Sequence, residues 1–465
     1  MSKHVAGAGL MSSGGQMPKF SSRVAFMAAT AGSAIGLGNI WSFTYVAGKN
    51  GGAGFMLVYL LALTFIATPI FMAELLLGRM GGATPVSSLK KLQNTVDSRL
   101  PWHGVAWVGM VATILVLSFY AVIAGQIMAY GYQALVGGMV NWDAATIRGY
   151  DAVFKAEPLV PLVWTALFAG ATAVIVAFDV RTGIERASKL MMPALFIMLV
   201  ALVIYSGFSG GFATAFDFLF GFNEMTFGPR LVMDAVGQSF FTLGVGVGGI
   251  MVMGAYLGEG VNLQRSAAWV VVMDLMIALL AGMAIFPLLF AANMEPDVGP
   301  GLVFVTLPLI FAEIPAGALV AFIFFLLLTF AALTSSIVLL SPTVTKLEEM
   351  GVKRPVAAWL MTGVVLALSL LTILSFSSWG TVYPLAFIGL DGMTWFDVIR
   401  EGVSNVVLPL GGLSFALMVG WGLPRDKIQA ALPMQDGVLF SIWYGAIRYV
   451  VPIAISSLFV TALFG

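Results

Sequence analysis

Ala29-Thr30-Ala31-Gly32-Ser33-Ala34-Ile35-Gly36-Leu37-Gly38-Asn39-Ile40 lies in the middle of the first long apolar run, Val24 to Val46. Each glycine costs a helix about 1 kcal/mol relative to alanine, so the three glycines and one serine between positions 32 and 38 weaken it at its centre. In lipid an opened backbone survives only where protein buries it or where it lines a wet cavity. The carbonyls freed at such an opening, with the Asn39 amide beside them, offer hard oxygens suited to a small cation. A second run, Gly237-Gln238-Ser239-Phe240-Phe241-Thr242-Leu243-Gly244-Val245-Gly246-Val247-Gly248-Gly249, repeats the device near mid-chain. Two glycine-interrupted spans at matching positions in the two halves point to one central binding site.

The surrounding composition fixes the setting. With 60% apolar and 9% charged residues and a mean hydropathy of +0.99, the chain reads as an integral membrane protein. Runs of about 20 apolar residues are needed to cross a bilayer as helix. Eleven such runs are expected, at 24–46, 52–78, 102–137, 159–178, 187–208, 233–257, 266–291, 316–343, 355–376, 402–422 and 437–463. Of the 22 basic residues, sixteen fall on one side, Lys49, Arg148, Lys155, Arg230 and Arg400 fall on the other, and Arg448 lies inside the last run. The positive-inside rule then puts the N-terminus in the cytoplasm and the C-terminus outside. Residues 1–22 are polar without an apolar core and read as a cytoplasmic tail.

Several chemistries are excluded. The absence of cysteine removes disulfides and thiolate sites. His4 and His103 lie in or beside polar connections, so the interior holds no histidine for catalysis or metal binding, and no enzyme is expected. The balance of 22 basic and 22 acidic residues gives no sign of a nucleic-acid partner.

Polar residues inside the runs are the remaining candidates. Glu74 sits one turn inside span two, either reaching for the boundary or touching a broken helix. Tyr120 is central in span three, and its hydroxyl needs either a ligand carboxylate or a neighbouring backbone group. Asp234 and Gln238 are one turn apart at the start of span six and share a face. Asp274 stands alone in the run Ala267–Phe290, to be protonated, placed beside a cation, or paired with another helix. Thr334-Ser335-Ser336 in span eight either bond the carbonyl four residues back or offer oxygens toward span one. The segment 298–315 is too short and too proline-rich to span and reads as a re-entrant extracellular cap. Leu408-Pro409-Leu410-Gly411-Gly412 suggests a kink in span ten.

The strings AGSAIGLGNIW, GIERASKLMMPALFI, GQSFFTLGVGVG, FVTLPLIF and LTSSIVLLSP resemble the neurotransmitter:sodium symporters, in particular the bacterial eleven-span amino-acid transporters. The resemblance implies an all-α, leucine-transporter-type fold of two inverted five-helix repeats, 23–208 and 209–425, with a peripheral eleventh span in 426–465. It implies sodium-coupled import of a small molecule by alternating access in a bacterial inner membrane. A first sodium site would use the Ala34 carbonyl, the Asn39 amide oxygen, Thr242 and Asp274. A second would use the Gly32, Ile35 and Ala331 carbonyls with the Thr334 and Ser335 hydroxyls. Tyr120 would hold the substrate carboxylate, together with backbone N–H groups near Gly36 and Gly38. Phe241 would be a lid, and Val116, Phe241, Gly244, Val247, Ser335 and Leu339 would line the side-chain pocket.

No acid or base lines that pocket, so neutral apolar or aromatic amino acids are expected, since an uncompensated charge there is costly. Departures from the family pattern also carry expectations. Ser42 replaces the arginine of the extracellular gate, and Arg400 stands near its usual acidic partner, so Arg400 is expected to pair with Asp234, with Gln238 nearby. Asp274 replaces the asparagine of chloride-dependent members and implies chloride independence. The altered gate leaves a sodium-dependent amino-acid sensor, or a non-concentrative transporter, as the alternative.

Overall fold

The computed structural model describes residues 19–95, 101–139, 142–180, 182–221, 227–258, 261–296, 299–389, 391–432 and 437–464. Most of the expected tail, with His4 and the basic residues Lys3, Arg99 and Arg181, lies outside the described residues. Among the described residues the chain is helix and turn without strand. Nine helices among the described residues are long and apolar enough to cross a membrane. The two interrupted ones, within Arg23–Lys49 and Pro229–Ala255, bring the spans to eleven.

Spans two to five run Ala53–Gly81, Trp102–Leu135, Leu159–Ala177 and Ile184–Gly207. Spans seven to eleven run Leu263–Ala291, Gly317–Glu349, Arg354–Ser375, Trp395–Gly422 and Gly437–Val460. Span ten begins seven residues before its expected start because a Thr394–Asp397 capping box opens it. Its first turns carry Asp397, Arg400 and Glu401, which hid them from a reading based on apolarity. Between spans seven and eight, a turn at Gly299–Leu302 and a helix of eight residues, Thr306–Glu313, occupy the segment expected to be re-entrant.

Helices in lipid gain little from hydrophobic exclusion, so close backbone approach through small residues holds them together. A Cβ on Gly78 of span two would strike the Met251 carbonyl, and one on Gly254 would strike the Leu75 carbonyl. Spans two and six are therefore in main-chain contact on both sides. The glycines of span ten act the same way: Gly411 leaves room for the Gly246 carbonyl. They serve contact with the second break, and the helix passes through them as Leu408–Leu417, preceded by a π-helical turn at Gly402–Val407. Span eleven touches the bundle through Trp443, which donates to the Pro69 carbonyl at 3.3 Å.

Candidate functional site

The first helix ends where Ile35 turns extended, at φ −76° and ψ 100°, and the chain resumes helically at Gly38. Asn39 bridges the gap. Its Oδ1 accepts from the Gly36 N–H at 3.1 Å, and its Nδ2 donates to Asp274 Oδ1 at 2.7 Å and to the Asp274 carbonyl at 3.1 Å. Asp274 is fully buried, and its second carboxylate oxygen has no hydrogen-bond partner. A buried charged oxygen without a partner is costly unless a cation meets it. Thr242 Oγ1 donates to the Gln238 carbonyl at 3.0 Å and lies 3.3 Å from the Tyr59 hydroxyl. Tyr59 was not anticipated, although a tyrosine inside apolar span two is the kind of signal that marks a polar contact.

A second set of oxygens gathers on the other side of the break. Thr334 Oγ1 lies 2.9 Å from the Ala331 carbonyl and 3.3 Å from that of Ile35. Gly32 backs onto the same side chain, since a Cβ there would stand 3.3 Å from Thr334 Cβ. The three adjacent hydroxyls diverge. Ser335 reaches Tyr120 and abuts Gly36, while Ser336 lies 2.7 Å from Thr172 of span four.

Between the breaks lies a cavity of about 70 Å³. It is lined by every residue expected at the substrate: Ala34, Gly36, Gly38, Val116, Tyr120, Phe241, Thr242, Gly244, Val247, Ser335 and Leu339. Leu37, Gly249, Ile250, Val338 and Leu408 complete the wall and were missed, because apolar residues in apolar helices carry no local mark. Tyr120 accepts from the Leu37 N–H at 3.4 Å. The backbone donor facing Tyr120 is therefore that of Leu37, and the Gly36 N–H expected there is engaged by Asn39.

Above this cavity opens a second one of about 420 Å³. Phe241 alone among the lining residues belongs to both. Gln238 ties their boundary together: it accepts from the Ser42 hydroxyl at 2.7 Å and donates to the Gly38 carbonyl at 2.8 Å. The expected Arg400–Asp234 pair is not formed. Asp234 is bound by Lys49 and Asn50, both at 3.1 Å, while Arg400 pairs with its neighbour Glu401. Lys49 and Asn50 sit at the end of span one, nearer to Asp234 in the fold than any residue of span ten that carries a cation. Span eleven contributes Leu458 and Phe459 to the outer cavity.

The second break is a loop in which Gly244, Gly246 and Gly248 have φ of 63°, 98° and 78°. Glu74, fully buried, accepts from the Gly246 N–H at 2.5 Å. That resolves its alternatives in favour of contact with a broken helix. On the opposite side of the bundle Lys19 donates to the Ala255 carbonyl at 2.9 Å. The Phe20 N–H donates to the Tyr256 carbonyl at 3.2 Å, which seals that end beneath the cavity.

Two opened helices around a shared cavity, with a larger chamber beyond it, are the architecture of a membrane transporter. Residues 17–150 and 160–463 match the sodium:neurotransmitter symporter family, and the chain belongs to that family. It is 34% identical to the sodium-dependent transporter YhdH of Bacillus subtilis, over 96% of this chain and 97% of the relative. A sodium-dependent transporter of Haemophilus influenzae is 30% identical over 97% of this chain and 99% of its own length. The crystal structure of MhsT in complex with L-phenylalanine superposes with a TM-score of 0.87 at 38% identity, covering 96% of this chain and 99% of that one. The fold is thus of the leucine-transporter type, and the protein is a sodium-dependent, multi-pass membrane transporter of a small molecule rather than an enzyme.

Proposed function

We propose that this transporter imports neutral apolar or aromatic amino acids together with two sodium ions, independently of chloride, across a bacterial inner membrane. The observation that carries this reading is one juxtaposition. An apolar cavity with a single polar end, at Tyr120 and Leu37, adjoins a break whose Asn39 holds a carboxylate with one unpartnered oxygen, Asp274.

In this reading the substrate carboxylate sits at the Tyr120 end and its side chain lies among Val116, Phe241, Val247 and Leu339. Asp274, Asn39, Thr242 and the Ala34 carbonyl hold the first sodium, and Thr334, Ser335 and the carbonyls of Gly32, Ile35 and Ala331 hold the second. Sodium is hard and takes oxygen ligands of these kinds, as calcium does. Because the substrate carboxylate completes the first ion's shell, each raises the other's affinity by the same factor. The charge of Asp274 stands where a chloride ion would otherwise be needed. The phenylalanine held by MhsT supports an aromatic-tolerant pocket. The first two spans of each repeat, 23–208 and 209–425, would rock against the rest, with the N-terminus cytoplasmic.

Uptake into liposomes tests this directly. A panel of radiolabelled amino acids is offered under an inward sodium gradient, with potassium as the matched control and gluconate replacing chloride in a third arm. Sodium-dependent accumulation of phenylalanine, leucine or tryptophan, unchanged in gluconate, is expected. Sodium-dependent binding without accumulation would favour a sensor, and a fall in gluconate would remove the chloride-independent reading.

A further inference from the structure

Spans ten and eleven cross at the end of span ten, and both are π-helical there, at Met418–Gly422 and Ala446–Val450. π-Helical turns recur at functional sites because they displace a stretch of helix to aim particular side chains. A Cβ on Gly420 would stand 2.9 Å from Arg448 Cα, so the two backbones touch. Trp421 donates to the Arg448 carbonyl at 2.9 Å, and Tyr444 donates to the Gly420 carbonyl at 3.1 Å. The crossing is rigidly tied, and Arg448 stands on it.

The Arg448 guanidinium lies 4.3 Å from the centre of the Trp421 ring, 5.6 Å from Tyr449 and 5.9 Å from Tyr444. Arg425, on the connection between the spans, lies 5.4 Å from the same Tyr444 ring. Two cations thus share one ring. Among the described residues neither forms an ion pair with a carboxylate. Arg448 Nε is buried with no partner, whereas Trp421 and Tyr449 are 57% and 52% exposed toward the surroundings of the bundle.

Charge near hydrocarbon is costly, and proteins retain it where it meets a partner. Ring contacts occupy the face of a guanidinium and leave in-plane N–H donors for an acceptor; of those on Arg448, Nη1 also donates to the Tyr444 hydroxyl at 3.4 Å. A phosphate diester matches that fork bidentately, and the exposed indole and phenol provide surface for acyl chains. Basic pockets between membrane helices at the cytoplasmic boundary take anionic head groups for this reason. We propose that Arg448, with Arg425, forms a site for the phosphate of an anionic phospholipid, walled by Trp421, Tyr444 and Tyr449. The leaflet follows from the orientation proposed above, but the site itself does not depend on which amino acid is carried.

Native mass spectrometry of the full chain in detergent, offered equal amounts of phosphatidylglycerol and phosphatidylcholine, tests the site without measuring transport. Phosphatidylglycerol adducts are expected to be enriched about fivefold on the wild type, to fall to near parity in R448Q and to about half in R425Q. R448Q should keep its sodium-dependent thermal stabilisation, which marks it as folded. Asp436 lies outside the described residues, and D436N should leave the enrichment unchanged. Equal retention of both lipids, enrichment unaltered in R448Q, or a large rise in D436N would each overturn the proposal. Displacement of the adducts by millimolar inorganic phosphate would also overturn it in favour of a free-phosphate site. Should R448Q not be recovered, quenching of tryptophan fluorescence by brominated phosphatidylglycerol is compared between wild type and W421F. A loss of quenching in W421F that brominated phosphatidylcholine does not reproduce is expected, and equal losses would refute the site.

Discussion

The two helix breaks are opened by similar glycine patterns and held open by different means. The first contains no residue in the left-handed region. It is bridged from within by Asn39, three residues on from Gly36, and braced by polar side chains of spans three, six, seven and eight. The second depends on three left-handed glycines and on a carboxylate from span two. Glycine is thus needed for space in the first break and for conformation in the second. The first leaves its freed groups facing the inner cavity, and the second has its Gly246 N–H taken up by Glu74.

The largest effect is expected at Asp274. D274A removes the unpartnered oxygen, and breaking a buried ionic contact costs about 3 to 5 kcal/mol, so sodium-dependent substrate binding should weaken about 100-fold or more in a scintillation proximity assay. Undiminished sodium dependence would strip the first break of its role as the ligand-facing one. Next comes G246A, which forces a side chain into a left-handed backbone against the Leu408 carbonyl. Strain of this kind costs about 1 to 3 kcal/mol, so thermal unfolding should shift down clearly. G36A meets side chains first, those of Ser335 and Tyr120, rather than backbone, and should spare stability while weakening substrate binding. Equal destabilisation by both would erase the contrast between space and conformation.

E74Q keeps an acceptor for the Gly246 N–H but puts an amide with two N–H donors into a fully buried site, and a loss of about 1 to 3 kcal/mol in chemical denaturation is expected. No loss would mean that the second break holds itself open. Smallest is the pair at the outer cavity. The Lys49–Asp234 side chains are 25% and 27% exposed, and a double-mutant cycle with K49M and D234N should give a coupling of about 0.5 to 1 kcal/mol. The same cycle with R400Q in place of K49M should give about zero, and a larger value there would restore the Arg400 pairing in another conformation.

The breaks, the spans and the inner cavity were legible because each rests on a residue type that lipid punishes unless it is used: glycine in a helix, an amide, an acid, a hydroxyl. Resemblance was needed to choose between the readings of Tyr120 and of Thr334, since a hydroxyl that bonds its own helix and one that faces a ligand look alike in sequence. The partner of Asp234 was not legible. Lys49 and Arg400 are both cations at the ends of spans, and only the packing of span one against span six decides between them. Leu37, Ile250, Val338 and Leu408 were invisible for the opposite reason, being ordinary membrane residues whose placement is purely three-dimensional.

Among the described residues Phe241 alone lines both the inner and the outer cavity. Its ring stands at the boundary that Gln238 ties to Ser42 and Gly38; side-chain turning takes picoseconds to nanoseconds when unhindered, whereas rocking of packed helices takes microseconds to milliseconds. Two clocks therefore govern a transport cycle. Arrival at the inner cavity should follow substrate concentration rapidly and with little dependence on temperature, while release on the far side should be slow, steeply activated and rate-limiting. A binding signal that saturates long before the first turnover is what such a separation looks like in time.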